Sequence, residues 1–339
     1  MNESNSTSDR LALDLLIRGF QISRMLRLVA DIRLADKIPR DDTARITDVA
    51  LACGVHPGPL LRVLRALASF GIFRIGADES VAHSPRSALL RTDEPNSLHY
   101  GAKFWTAPGS WGAWGALDAA LTGGVPHQVA WQTDRFQYLR EHAEEARDFD
   151  AFMSHFPDNR HPAVAMSYDF SAFKLITDVG GGNGEALRQI LARFPQPRGL
   201  VFDRHDVVAS IAPEARAEGR IDVIGGSFFD FVPEGADAYL LVRVLHDWSD
   251  DDCIRILRNC RDAMTDGARM LVVEHILEPD PAVGQPSAYL IDIQMMAMFE
   301  SARERTTSEL NELLRTAGFT PARVLATPSA VSILETSPA

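Results

Sequence analysis

Between a β-branched run, Leu175–Val179, and an amphipathic stretch, Ala186–Phe194, the chain reads Asp178-Val179-Gly180-Gly181-Gly182-Asn183-Gly184. Glycines this dense imply a sharp turn whose backbone is approached closely by a ligand, because a Cβ would block either. A strand entering such a turn and a helix leaving it is the start of an α/β unit that binds at the carboxyl end of its strand. The sequence beyond repeats the alternation. Gly199–Phe202, Ile221–Ile224, Ala238–Val244 and Met270–Glu274 read as buried strands, with helices such as Asp251–Met264 between them. This predicts a parallel, doubly wound α/β sheet. A further helix is expected over Thr307–Ala317, and Arg323–Ala326 and Val331–Glu335 close the sheet as an antiparallel pair.

The spacing of the glycine run narrows its ligand. A dinucleotide fingerprint, G-x-G-x-x-G, would place its third glycine on Glu185 or on Leu187, so it fails. The form is instead acid-x-G-x-G-x-G, set by Asp178, Gly180, Gly182 and Gly184. A carboxylate before the first glycine suits a cationic amino-acid end better than a pyrophosphate. Asp203, at the end of the second strand, can accept both hydroxyls of a ribose. A nucleoside that carries an amino acid and no phosphate is S-adenosylmethionine.

The first hundred residues follow another pattern. Leu13, Leu16, Ile17, Phe20, Met25 and Leu28 recur at helical spacing. Thr47 is placed to cap a short helix, Asp48–Cys53, which Gly54 ends. Pro57 opens a second helix with Leu60, Leu61, Leu64 and Leu67 on one face and Gly71 at its end. Ile72–Ile75 and Ser80–His83 follow as a hairpin. Two helices and a hairpin make a winged-helix pattern over residues 10–100. Residues 101–339 are read as a second domain, opening with a helical, aromatic-rich connector over roughly 101–170. Apolar N-terminal helices that a lone winged helix cannot cover imply a homodimer.

A winged helix with Arg62 and Arg65 on its second helix also raises a small-molecule-sensing regulator. Charge speaks against it, since the chain carries a net −12 and its first hundred residues are close to neutral. Nucleic-acid binding needs a basic surface. No apolar run reaches the roughly 18 residues of a membrane span. The polar start does not resemble a signal peptide. Cys53, Cys253 and Cys260 have no disulfide or metal spacing, which suits the cytoplasm and implies no metal.

The segment Leu240-Leu241-Val242-Arg243-Val244-Leu245-His246-Asp247-Trp248-Ser249-Asp250, the glycine run, and Arg303-Glu304-Arg305-Thr306 together closely resemble the caffeate/hydroxyindole (acetylserotonin) type of S-adenosylmethionine-dependent O-methyltransferase. The resemblance extends over nearly the whole chain. It implies an N-terminal winged-helix dimerisation domain, a Rossmann-like cofactor domain, and methyl transfer to a hydroxyl of a small aromatic acceptor. It places Gly180 at the methionine end, Asp203 on the ribose, Ser227 where the family usually has an Asp near the adenosine end, and Phe228 and Trp248 around the adenine. The family's frequent Lys falls on Val242. Arg243 is the nearest cation to contact the methionine end, unless strand alternation turns it to the other face of the sheet. Relatives that use the scaffold for other S-adenosylmethionine-assisted chemistry are the alternative.

The difficult partner in such a transfer is the acceptor, because a phenol with a pKa near ~10 is mostly protonated at neutral pH. His246, at the carboxyl end of the fourth strand, is the candidate general base. In the family, acids at the places of Glu274 and Glu304 flank the histidine, and a carboxylate on its second nitrogen would fix the tautomer. Asp247 is read as a helix cap. Phe149 and Met153 lie one helical turn apart, as do Met295 and Phe299 on a helix over Asp292–Phe299. Stripes of this kind are either core or acceptor pocket, and the resemblance implies the pocket.

Overall fold

The computed structural model describes residues 3–154, 159–216 and 219–339. The chain forms two compact units, Met1–Leu117 with His127–Pro157, and Asp118–Pro126 with Asp158–Ala339.

In the first unit, helices Glu3–Ile17 and Gly19–Asp31 precede the winged-helix elements. Helices Ile46–Cys53 and Pro57–Ser69 pack with a small sheet in which Ser80–Ala82 lies between Ala44–Arg45 and Arg74–Ile75. Leu60, Leu64 and Leu67 bury their shared face against Val29, Leu34, Ile46 and Phe73. Gly54 ends the first of these helices at φ 68°, as its position suggested. Thr47 does not cap it. The helix begins at Ile46, and its cap residue, Arg45, uses no side-chain hydrogen bond. The expected connector is split, since Phe104, Phe149 and Phe152 pack among themselves in the first unit, with rings of Phe104 and Phe152 stacked 4.3 Å apart. Lys103 pairs there with Asp148 at 2.6 Å.

In the second unit, among the described residues, the main sheet has eight strands, seven of them side by side: β1 (Leu175–Val179), β2 (Arg198–Asp203), β3 (Ile221–Gly225), β4 (Ala238–Val242), β5 (Arg269–Leu277), β6 (Arg323–Ala326) and β7 (Val331–Thr336), with the short Arg305–Thr306 added to the end of β5. Their order is β6-β7-β5-β4-β1-β2-β3. The first five pair in parallel, and β6 and β7 are antiparallel. Alternate residues feed opposite faces. Tyr239 and Leu241 pack with Ile256, Leu257, Leu310 and Leu313, whereas Ala238 and Leu240 pack with Leu187 and Ile190. Both faces are therefore covered by helices. The order in which strands are added reverses between β1 and β4, and a crevice at the carboxyl ends of those strands is where open α/β sheets bind ligands.

Two boundaries shift. Strand β5 continues past Glu274 to Leu277 because Arg305–Thr306 adds a short parallel partner to Ile276 and Leu277. Glu274 therefore lies inside a strand and is buried. The helix expected over Asp251–Met264 runs Asp250–Ala263, and Ser249 caps it by accepting the N–H of Asp252 at 3.2 Å. Asp247 is not the cap.

Candidate active site

The glycine turn leaves β1 and is closed by two hydrogen bonds to β2. The N–H of Gly180 donates to the carbonyl of Phe202 at 2.8 Å, and that of Gly182 to Oδ2 of Asp203 at 2.9 Å. Gly180, Gly182 and Gly184 all have φ between 55° and 78°, the left-handed region that glycine enters without penalty. Their surroundings differ. A Cβ on Gly180 would stand 2.9 Å from Cγ2 of Val244, and one on Gly181 would stand 2.7 Å from the carboxylate of Asp178. A Cβ on Gly182 would project into open space. The turn is thus crowded at Gly180 and Gly181 and open at Gly182.

Asp178 is completely buried beneath this turn, and neither carboxylate oxygen has a hydrogen-bond partner. Burial, and then the neighbouring charge of Asp203, push its pKa up to about 7. An unpaired buried carboxylate is costly unless a cationic donor reaches it. Ser227, one residue beyond the Gly225-Gly226 end of β3, accepts the N–H of Phe229 at 3.3 Å. Phe228 and Trp248 meet edge to face with centroids 5.8 Å apart, and Phe228 also borders the glycine turn.

His246 stands on a short 3-10 turn, Leu245–Asp247, just past β4. That turn is held from several directions. Oε1 of Glu274 accepts the N–H of Val244 at 3.1 Å and of Leu245 at 2.8 Å. Arg305, buried, donates to the carbonyls of Leu245 and Trp248, both at 2.8 Å, and to Asp250. The N–H of Arg303 donates to the carbonyl of His246 at 2.8 Å. Nδ1 of His246 lies 3.3 Å from Oε2 of Glu274, an ion-pair distance without hydrogen-bond alignment, and Nε2 lies 3.2 Å from Oδ1 of Asp247.

The two acids expected around the histidine are placed differently. Glu274 adjoins it, whereas Glu304 is engaged by Arg243, whose Nη1 and Nη2 reach its oxygens at 2.8 and 2.5 Å. Nη1 of Arg243 also donates to Oε2 of Glu274 at 2.9 Å. The guanidinium read as a contact for the methionine end is thus spent on two carboxylates. Strand alternation does not decide its direction, because Arg243 follows β4 at φ 56° and breaks the alternation. Burial opposes the charge on Glu274, but His246, Arg243 and the N–H of Leu245 outweigh it and hold the carboxyl at about 2.

Of the proposed acceptor residues, Phe149 packs on Phe104 and Met153 is exposed, both in the first unit. Met295 and Phe299 lie in the second, half-buried at the end of the helix Pro286–Met298, where the N–H of Phe299 donates to the carbonyl of Met295. Sequence reasoning missed Gly181, Val244, Arg303 and Arg305 as parts of the site. The glycine run and the Arg-Glu-Arg-Thr segment carry three of them, and only their tertiary partners reveal what they do.

An O-methyltransferase domain family matches residues 114–320, and an O-methyltransferase dimerisation domain matches residues 15–93. Phenazine O-methyltransferase PhzM of Lysobacter antibioticus is 34% identical over 329 residues, covering 95% of this chain and 94% of that protein. The structure of the mitomycin 7-O-methyltransferase MmcR superposes with a TM-score of 0.87 at 30% identity, covering all of both chains. CalO1, a methyltransferase of calicheamicin biosynthesis in its SAH-bound form, gives 0.85 at 31% identity, again over the whole of both chains. With the glycine turn, the ordered sheet and the matched domains in agreement, the chain belongs to the family of S-adenosylmethionine-dependent O-methyltransferases that carry an N-terminal dimerisation domain.

Proposed function

We propose that this enzyme methylates a hydroxyl group of a small aromatic acceptor, with His246 removing the hydroxyl proton, and that it works as a homodimer. The observation that carries the reading is the contact between Gly180 and Val244, two residues before His246. It brings the cofactor turn of β1 against the turn that bears the imidazole.

S-adenosylmethionine supplies a methyl group on a sulfonium, already activated for in-line transfer. Asp178 fits its cationic amino end, being buried and unpartnered beside an open turn. Asp203 has the place and chemistry for the ribose, and Phe228 and Trp248 supply apolar surface for the adenine. Ser227, a neutral hydroxyl, has the place at the adenosine end. Nε2 of His246 takes the acceptor's proton as its oxygen attacks, an effect worth roughly 10²–10⁴-fold. The network that fixes the His246 turn supplies orientation, which contributes at least as much. Met295 and Phe299 are assigned to the acceptor pocket, where a flexible Met side chain adapts to different ring shapes. The aromatic class is supported by relatives named for phenazine and for 3-amino-4-hydroxybenzoate. The homodimer is supported by the dimerisation-domain match and by Leu16, Ile17 and Phe20, which are 57–76% exposed on the first two helices.

Incubation with methyl-labelled S-adenosylmethionine and a panel of phenols tests this reading. Label recovered as an aryl methyl ether, and lost at least tenfold in His246→Ala with cofactor affinity intact, is the expected result. Label on no phenol, from protein that binds the cofactor, would overturn it in favour of other chemistry on the same scaffold.

A further inference from the structure

We infer that Arg243 is a positioning residue for the proton transfer: shared between Glu274 and Glu304, its guanidinium keeps their negative charge from holding His246 protonated before an acceptor arrives. The inference rests on His246 being the base.

Three observations lead to it. Arg243 occupies a left-handed conformation, φ 56°, which is uncommon for residues other than glycine. Its guanidinium is buried with both carboxylates. Oε2 of Glu274, which receives Nη1 of Arg243 at 2.9 Å, is also the oxygen 3.3 Å from Nδ1 of His246. A permanently charged guanidinium and the imidazole therefore contend for one oxygen, and Nδ1 is left buried without a hydrogen bond.

The charges facing the ring come from four elements. Glu274 approaches from β5, and Asp247 from the same turn. Arg243 stands at the end of β4. Glu304 lies in the segment before Thr306 and is bound to Arg243. Arg303 and Arg305, in that same segment, direct their guanidinium groups to Asp250, and Arg305 also to the turn's carbonyls. The thiol of Cys253 donates to the carbonyl of Leu245. Without Arg243, Glu274 would stand against the imidazole as an uncompensated anion, and Glu304 would lose its counter-ion behind it. A ring already protonated cannot accept another proton. With Arg243 present, Nε2, which also lies 3.2 Å from Oδ1 of Asp247, takes the hydroxyl proton while the acceptor oxygen bonds to the methyl carbon and the carbon–sulfur bond breaks to leave a neutral sulfide. Glu274 then faces the imidazolium as well as Arg243, so the interaction strengthens as the reaction proceeds.

The test is kcat/KM between pH 6 and 9 for the full-length wild type, Arg243→Met and Arg243→Lys, with a phenol that the panel identifies. Arg243→Met is expected to lose at least tenfold at pH 7 and to recover most of it by pH 9, its acid limb displaced upward by a pH unit or more. Arg243→Lys, which restores charge without the two-pronged fork, is expected to fall between. Calorimetry should give unchanged affinity for S-adenosylhomocysteine. A loss of equal size at every pH, or no loss, would overturn the role of Arg243. If Arg243→Met does not fold, Glu304→Gln reads the balance from the other side: its acid limb should move to lower pH, and an upward move would overturn the inference. Wild-type turnover in His246→Ala would instead remove the base assignment beneath it.

Discussion

The carboxylate of Asp203 accepts the N–H of Gly182 at 2.9 Å, so the residue that ends β2 also fixes the turn that leaves β1. One of its oxygens braces the loop, while Oδ1 accepts the N–H of Arg204. Removing the carboxylate in Asp203→Ala should release the turn and take away the proposed ribose contact together. Affinity for S-adenosylhomocysteine is expected to fall more than tenfold by calorimetry, with about 1 kcal/mol of stability lost for the hydrogen bond. Unchanged affinity would separate Asp203 from the cofactor.

Two glycines of the turn should respond differently to the same added methyl group. Gly180→Ala and Gly182→Ala both incur the left-handed penalty of roughly 1–2 kcal/mol. Only the first drives a Cβ to 2.9 Å from Val244. Gly180→Ala should therefore melt at lower temperature than Gly182→Ala. The latter should fold and yet bind cofactor poorly, because its methyl group enters the open side of the turn. Equal melting temperatures would contradict this packing.

Asp178 makes stability depend on pH. Its carboxyl titrates near 7 in the folded chain, against an ordinary value of about 3.9. Between those values the folded chain holds a proton that the unfolded chain has released, so stability falls as pH rises from about 4 to about 7. The effect is on the order of a few kcal/mol. Urea unfolding from pH 5 to pH 8 should show the decline in the wild type, and Asp178→Asn should remove that contribution. Saturating S-adenosylhomocysteine should flatten it as well, by bringing a cation to the carboxylate. An Asp178→Asn variant with an unchanged slope would exclude this origin.

Arg305 should matter to both folding and turnover. Truncation in Arg305→Ala takes the guanidinium from the carbonyls of Leu245 and Trp248, leaves them the weaker thiol donor of Cys253, and loosens the turn that carries His246. A loss of about 1–3 kcal/mol is expected from denaturant unfolding, the range for hydrogen bonds made by a charged donor. A fall in kcat larger than any change in KM should accompany it.

The first two helices should govern assembly. Leu16→Glu with Phe20→Glu places charges on an exposed apolar face and should convert a dimer to a species near 37.3 kDa by light scattering. A wild type already of that size would remove the dimer.

Much of the fold is legible in the sequence because its signals are local. Each strand of the α/β unit is a short apolar run, and the glycine turn is specified within seven residues. Boundaries fail where a distant partner intervenes: β5 runs on past Glu274 because Arg305 and Thr306, about 30 residues later, pair with its end. The site divides the same way. Asp178, Asp203 and His246 stand out by their positions at strand ends. Arg243 does not, because its role depends on a backbone angle that no spacing encodes and on Glu304, 61 residues away. Asp247 looks like a helix cap by residue type, but Ser249 stands at the helix start and takes that position.

The helix Pro286–Met298 carries Met295, while Asp292 on the same helix accepts the N–H of Glu304 at 2.9 Å. The helix whose end carries the proposed acceptor residues Met295 and Phe299 is therefore tied by one main-chain bond to the counter-ion of Arg243. Engineering a new acceptor preference by rebuilding this helix should disturb reaction rate as well as selectivity, unless Asp292 is retained as the anchor.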